Sequence, residues 1–148
     1  MDAITPKIKV FSELGPSELY ELLRLRSAVF VVEQNCVYQD LDGLDQAAVH
    51  IFIPNADGSC AACARVCEKA DEPGTMQIGR VVSKERGKGL GMAVLRAAIG
   101  ECRRLGAREV YIEAQQYAIG FYEKAGIAVT SETFLEDGIP HVQMRLGL

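Results

Sequence analysis

No segment of the sequence is apolar over the length a membrane span requires, and Met1-Asp2-Ala3-Ile4-Thr5-Pro6 carries no apolar core of signal-peptide length. The expected compartment is therefore the cytosol, with no membrane partner. An excess of positive charge is also missing. The net charge of −4 argues against a general nucleic-acid binder, so affinity for a polyanion has to come from a local patch such as Lys84, Arg86 and Lys88. No internal repeat, linker or low-complexity tract interrupts the chain. With 49% hydrophobic residues, its 148 residues are expected to form one domain over 1–148 with a real core.

Cysteine is neither absent nor paired in number. Five cysteines (Cys36, Cys60, Cys63, Cys67 and Cys102) without a secretion signal point to reduced thiols. Cys60-x2-Cys63-x3-Cys67 invites a metal site, yet it lies in an Ala/Val/Cys run that reads as a strand. Alternation there sends Cys60 to one side and Cys63 and Cys67 to the other, so three thiolates do not converge. No metal is expected, and the cysteines read as small buried hydrophobes.

The pattern along the chain is β-α-β-β-β-α-β-α-β-β. Lys7–Phe11 alternates as a strand, and Gly15-Pro16-Ser17-Glu18 opens a helix that an apolar stripe carries to about Val32. Residues 33–45 are polar and acidic, either a solvated loop or the wall of a cleft for a cationic substrate. His50–Pro54 and Ser59–Glu68 flank the turn Asn55-Ala56-Asp57-Gly58, and Met76–Val82 follows as a third strand. A helix runs from Met92 to about Leu105 with Val94, Leu95, Ala98 and Cys102 inward, Glu101 and Arg103 mostly outward, and Gly106 as its stop. Glu109–Gln115 is the next strand, joined to the previous one by a helical crossover and so expected to pair in parallel. A short helix at Ala118–Ala125, a strand at Ile127–Leu135, a turn at Glu136–Pro140 and a strand at His141–Leu146 complete a mixed α/β domain.

Between the third strand and its helix lies Arg86-Gly87-Lys88-Gly89-Leu90-Gly91. Glycines let the backbone approach a ligand closely, and the unpaired amides of a helix start favour an anion, phosphate above all. A Walker A loop is excluded because no Lys-Ser or Lys-Thr follows the glycines. A dinucleotide fingerprint is excluded too, since Val94 stands where its third glycine belongs.

What remains, Arg-x-x-Gly-x-Gly entering a helix, resembles the acetyl-CoA pyrophosphate loop of the GCN5-related N-acetyltransferases (GNAT). A second stretch, Gln115-Gln116-Tyr117-Ala118-Ile119-Gly120-Phe121-Tyr122-Glu123-Lys124-Ala125-Gly126-Ile127, is similar to that family's Asn-x2-Ala-x2-Phe-Tyr-x3-Gly-Phe segment. Phe30–Asn35, Ala114-Gln115 and Glu136–His141 resemble its small ElaA-like branch. The resemblance covers nearly the whole chain. It implies the acyl-CoA N-acyltransferase fold: a mixed, mostly antiparallel twisted sheet with a splayed parallel pair, flanked by helices.

The same resemblance implies acetyl-CoA as cofactor, held by Val81, Val82, Arg86, Gly87, Lys88, Gly89, Leu90, Gly91, Met92, Gln115 and Tyr122. Gln115 stands where the family mostly has Asn, keeping an amide for the pantetheine arm with one more methylene. The span from Arg80 to Arg86 is about two residues shorter than related sequences lead one to expect, which leaves the contact open among Val81, Val82 and Ser83. A backbone amide near Val81 or Val82 would serve the oxyanion.

Tyr122 matches the family's general acid, a phenol that stays protonated at neutral pH and can donate to the leaving thiolate; a helix anchor is the alternative. Glu33, Glu113 and His141 are the candidate bases, each with a structural alternative: a cap or ion pair, an outer-face residue, and a hydrogen-bonded residue behind the proline turn. Cys36 lacks the positive neighbourhood of a nucleophile, so direct attack by the amine is expected.

The expected reaction is acetyl transfer to a primary amine of a small molecule or peptide. A non-catalytic acyl-CoA-binding regulatory module and a nucleotide-binding protein are the competing classes. Domains of this kind often pair as homodimers through a terminal strand, and the sequence singles out no interface.

Overall fold

The computed structural model describes residues 5–148; residues 1–4, part of the leader reading, lie outside them. Eight strands form one sheet: β1 (Lys7–Val10), β2 (Val49–Pro54), β3 (Cys60–Glu68), β4 (Thr75–Ser83), β5 (Glu109–Gln115), β6 (Ala128–Val129), β7 (Phe134–Glu136) and β8 (Ile139–Gly147). The order is β1-β2-β3-β4-β5-β8-β6, with β7 also on β8. Every pairing is antiparallel except β4 with β5. That exception follows from the crossover helix α2 (Leu90–Arg104), which carries the chain back to the starting edge.

The parallel ladder is short. It runs from Thr75 opposite Glu109 to Gln77 opposite Tyr111 and stops, although both strands continue. Beyond it β4 and β5 part, and a cleft opens between their C-terminal halves. The side chains alternate across the sheet as the pleat requires. Ile51, Ala62, Ala64, Val66, Ile78, Val110 and Ile112 face α2, meeting Val94, Leu95, Ala98 and Cys102. Phe52, Cys60, Cys63 and Val82 face the other way, under Leu22 and Leu25 of α1 (Pro16–Arg26) and the following Val29. Tyr122 of the short α3 (Ile119–Glu123) joins the α2 side.

Four expectations change. Cys60 and Cys63 share one face, because the β2–β3 register slips between Ile53 and Pro54, where a bulge adds a residue and reverses the alternation. All five cysteines are free thiols, and among the described residues no group of three His, Cys, Asp or Glu is disposed to hold a metal. The first helix keeps α geometry only to Arg26, and Ser27–Glu33 is π-helical, with Gln34 N donating to Val29 O. The β-branched run Val29, Val31, Val32 gains little from an α turn. Glu101, expected outside, is 4% exposed and is paired with Arg104. The expected strand Ile127–Leu135 divides into β6 and β7, with Ser131 Oγ accepting from Gln143 N in the gap.

Candidate active site

Two short glycine conformations shape the loop between β4 and α2. Gly87 and Gly89 take φ of 81° and 75°, the left-handed region that glycine enters without penalty. Gly91 is helical and packs near Phe121. Gly89 is the N-cap of α2 and offers no side-chain cap, so the first amides of a fifteen-residue helix are left for a ligand. Arg86 is 65% exposed at its side chain and lies 3.6 Å from Glu33, while Lys88 pairs with Glu85.

This loop forms one rim of a cleft of about 1140 Å³ that follows the gap between β4 and β5. Of the residues expected at the cofactor, Val81, Val82, Arg86, Gly87, Gly89, Leu90, Gly91, Met92, Gln115 and Tyr122 all line it, and so does Ser83. Lys88 and Glu33 are not in the lining. Strand register explains the opposite wall. Gln115 and His141 face each other across β5 and β8, and Glu113 lies two residues earlier on the same face of β5. That face is the one turned away from α2, where Val110, Ile112 and Ala114 are buried. Glu113 and His141 accordingly enter the cleft.

The polar contacts differ from those a bare motif suggests. Gln115 exchanges two hydrogen bonds with Gln34, at 3.1 and 3.2 Å, which ties the end of the π-helical segment to the end of β5. One amide hydrogen of Gln115 remains for a ligand. Glu113 accepts from Gln77 Nε2 at 3.2 Å. His141 is buried and holds Ile139 O at 2.7 Å through Nδ1; a carbonyl only accepts, so Nδ1 carries the proton. Its other nitrogen lies 3.5 Å from Glu136, and the ring stacks on Phe134. Burial and the nearby Glu113 charge push the Glu136 carboxyl up, against the pull of His141. Tyr122 is 8% exposed, edge-on to Phe121, and burial followed by Tyr117 raises its phenol well above the ordinary value. Its hydroxyl has no hydrogen-bond partner among the described side chains and is not a sealed atom, so it opens on the cleft it lines.

The acidic stretch 33–45 forms a wall of the cleft through Gln34, Tyr38, Gln39 and Asp42. Its aspartates are counter-ions for the chain's own arginines. Arg26 binds Asp40 and Asp45 at 2.9 and 2.7 Å, and Arg65 forks onto Asp42 at 2.8 and 2.9 Å while touching Asp45 at 3.2 Å. His50 Nε2 holds Asp45 O at 2.9 Å, and burial lowers its basicity. The negative charge of these aspartates is therefore answered internally.

Residues 18–148 match the family described as the acetyltransferase (GNAT) domain. The chain belongs to the GNAT family. Its relatives include protein ElaA of Escherichia coli, 39% identical over 137 residues and matched across 90% of both chains. A UPF0039 protein of Schizosaccharomyces pombe is 38% identical over 144 residues, 95% of each. Among solved structures, E. coli ElaA superposes with a TM-score of 0.87 at 38% identity, over 97% of this chain and 99% of that one. An acyl-CoA N-acyltransferase from Pseudomonas aeruginosa superposes at 0.86 and 37% identity, over 98% and 99%. This GNAT chain thus has the fold of an acyl-CoA-dependent acyltransferase, with the cleft lying where its parallel strands separate. Sequence reading missed Gln34, Glu136 and the Arg26/Arg65 pairing as parts of the site. Gln34 meets its partner 81 positions away and the two arginines meet theirs 14 to 23 away, separations no local spacing reports, while Glu136 meets His141 only by the pairing of two adjacent strands.

Proposed function

We propose that the protein is an acetyl-CoA-dependent N-acetyltransferase that moves the acetyl group to a primary amine by direct attack. The observation that carries this reading is the joining, in one cleft, of the uncapped start of α2, the unpaired part of β4 and the Tyr122 hydroxyl. The amides of Leu90, Gly91 and Met92, with Arg86 and Lys88 near them, would hold the pyrophosphate. Gln115 would offer its free amide hydrogen to the pantetheine arm, and a main-chain amide at Val81 or Val82 would stabilise the carbonyl oxygen.

The acid and base follow from proton states. Tyr122, raised by burial, keeps its proton for the departing thiolate. His141, protonated on Nδ1, presents Nε2 as an acceptor for the ammonium proton, directly or through water, with Glu113 beside it to hold the cation. Glu33, 57% exposed and engaged with Arg86, is better suited to fixing the loop than to taking that proton. No helix among the described residues is long and apolar enough to cross a membrane, and a cytosolic enzyme acting on a small amine or peptide suits the cleft.

Thermal melting with acetyl-CoA, CoA, ATP and NAD tests the reading. Acetyl-CoA and CoA should raise the melting temperature by binding the native state, and ATP and NAD should not. No shift with acetyl-CoA would overturn the proposal. A thiol-release screen across amines then separates an enzyme from an acyl-CoA-binding regulatory module.

A further inference from the structure

β4 carries one residue more than the strand beside it. Cys63 faces Val82 and Arg65 faces Gly79, so two steps along β3 meet three along β4. The surplus is absorbed at Arg80, whose φ of 54° lies in the left-handed region. That conformation is unfavourable for a residue with a Cβ and persists where the surroundings over-determine it. Gly79 stands next in line and could have taken it at no penalty, so the Arg80 side chain accounts for the choice.

That side chain reaches out of the strand to the loop at 36–45. Its Nε lies 2.8 Å from Asp40 Oδ1 in an ionic contact without hydrogen-bond alignment. Nη2 donates to Asp40 O at 3.0 Å and to Asp42 Oδ2 at 3.3 Å, and the guanidinium lies 5.7 Å from the centre of the Tyr38 ring. Both aspartates are clamped from elsewhere, Asp40 by Arg26 of α1 and Asp42 by Arg65 of β3. The anchor is therefore rigid, and it fixes the strand immediately before Val81 and Val82.

We propose that Arg80 is a positioning residue for acyl transfer: held by Asp40 and Asp42, it keeps the β4 bulge in place, aims the Val81 and Val82 amides at the thioester carbonyl, and couples the 36–45 wall to the acyl end of the cleft. This rests on the acyl-CoA reading above. The pyrophosphate cradle at Gly87–Met92 is separate from the anchor, so CoA affinity and carbonyl activation should respond differently to its loss.

Arg80→Gly removes the anchor and relieves the backbone, while Asp40 keeps Arg26 and Tyr38, so the fold should survive. Acetyl-CoA carrying carbon-13 at the acetyl carbonyl provides a readout that needs no acceptor. Its resonance should move downfield on binding the unaltered protein and return towards the free position in Arg80→Gly, with CoA affinity unchanged. With an acceptor in hand, kcat should fall about 10²-fold, the usual effect of losing an oxyanion donor. Arg80→Lys should recover part of the carbonyl shift, because an ammonium can reach one aspartate but cannot span two. A bound-carbonyl resonance identical in Arg80→Gly and the unaltered protein would overturn the proposal, as would CoA affinity falling in step with kcat. Failure of acetyl-CoA to bind the unaltered protein is a distinct result, and would remove the acyl-CoA reading itself.

Discussion

Tyr122 combines a packed ring with a hydroxyl at the cleft. Its ring belongs to the core on the α2 side, edge-on to Phe121, while its hydroxyl is left to the cleft. Removing only the oxygen should leave stability nearly unchanged, since no protein hydrogen bond is lost. Tyr122→Phe is expected to lower kcat about 10²-fold or more while the acetyl-CoA melting shift persists, the usual size of a general-acid effect. The raised phenol also predicts the pH profile. Because Tyr122 loses its proton only above the ordinary tyrosine range, turnover should show no fall assignable to it up to about pH 10. A fall near neutral pH that disappears in Tyr122→Phe would contradict the assignment. Tyr122 was legible in the sequence through its Phe-Tyr motif. Gln34 and Glu136 were not, because each acquires its meaning from a partner on another strand or turn.

At the scale of elements, the loop and helix start at Gly87–Met92 are local in origin. Glycines in left-handed conformations and an uncapped helix are consequences of neighbours in sequence, which is why the motif could be read without a fold. Gly89 offers a clean test. Nothing lies within 4 Å of the Cβ an alanine would add, so Gly89→Ala meets only the backbone penalty. It should destabilise the protein by about 1–2 kcal/mol, measured by urea unfolding, and weaken CoA binding as the cradle distorts. Unchanged CoA affinity would move the pyrophosphate away from α2. The π-helical stretch Ser27–Glu33 was hidden for the opposite reason. Its apolar spacing is compatible with an α-helix, and the wider turn appears once the segment is drawn towards the cleft by Gln34 and Gln115.

For the molecule as a whole, charge is organised inward at one end of the sheet. Three arginines, Arg26, Arg65 and Arg80, interlock with Asp40, Asp42 and Asp45 and join α1, β3, β4 and the long loop. Burial alone would raise the Asp42 carboxyl, but hydrogen bonds from Arg65 and the Leu44 amide, with Arg80 nearby, bring it down to about 2. Asp45 is lowered as well, chiefly by Arg26 against its own burial. A carboxyl whose folded value lies below its unfolded value of about 3.9 contributes fully above that pH and is lost as pH falls through the folded value. Stability should therefore drop between about pH 4 and pH 2, and Asp42→Asn should be less stable at neutral pH with a shallower drop across that window. Urea midpoints measured at both ends of the window check this.

Sequence alone was enough for the features that arise from neighbouring residues: the strand and helix periods, the crossover that makes β4 and β5 parallel, the glycine turn before α2 and the Phe-Tyr helix. Local propensity and period act over a few residues, so they are written where they act. Tertiary structure decided which charges are free and which are spent. The acidic loop does wall the cleft, but Arg26, Arg65 and Arg80, brought in from three other elements, pair with its aspartates. It also decided that Glu113 and His141 share a cleft that Glu33 does not line, because strand register and the early end of the β4–β5 ladder set those positions. Long-range pairing has no period of its own, and its energy appears only when the chain is closed.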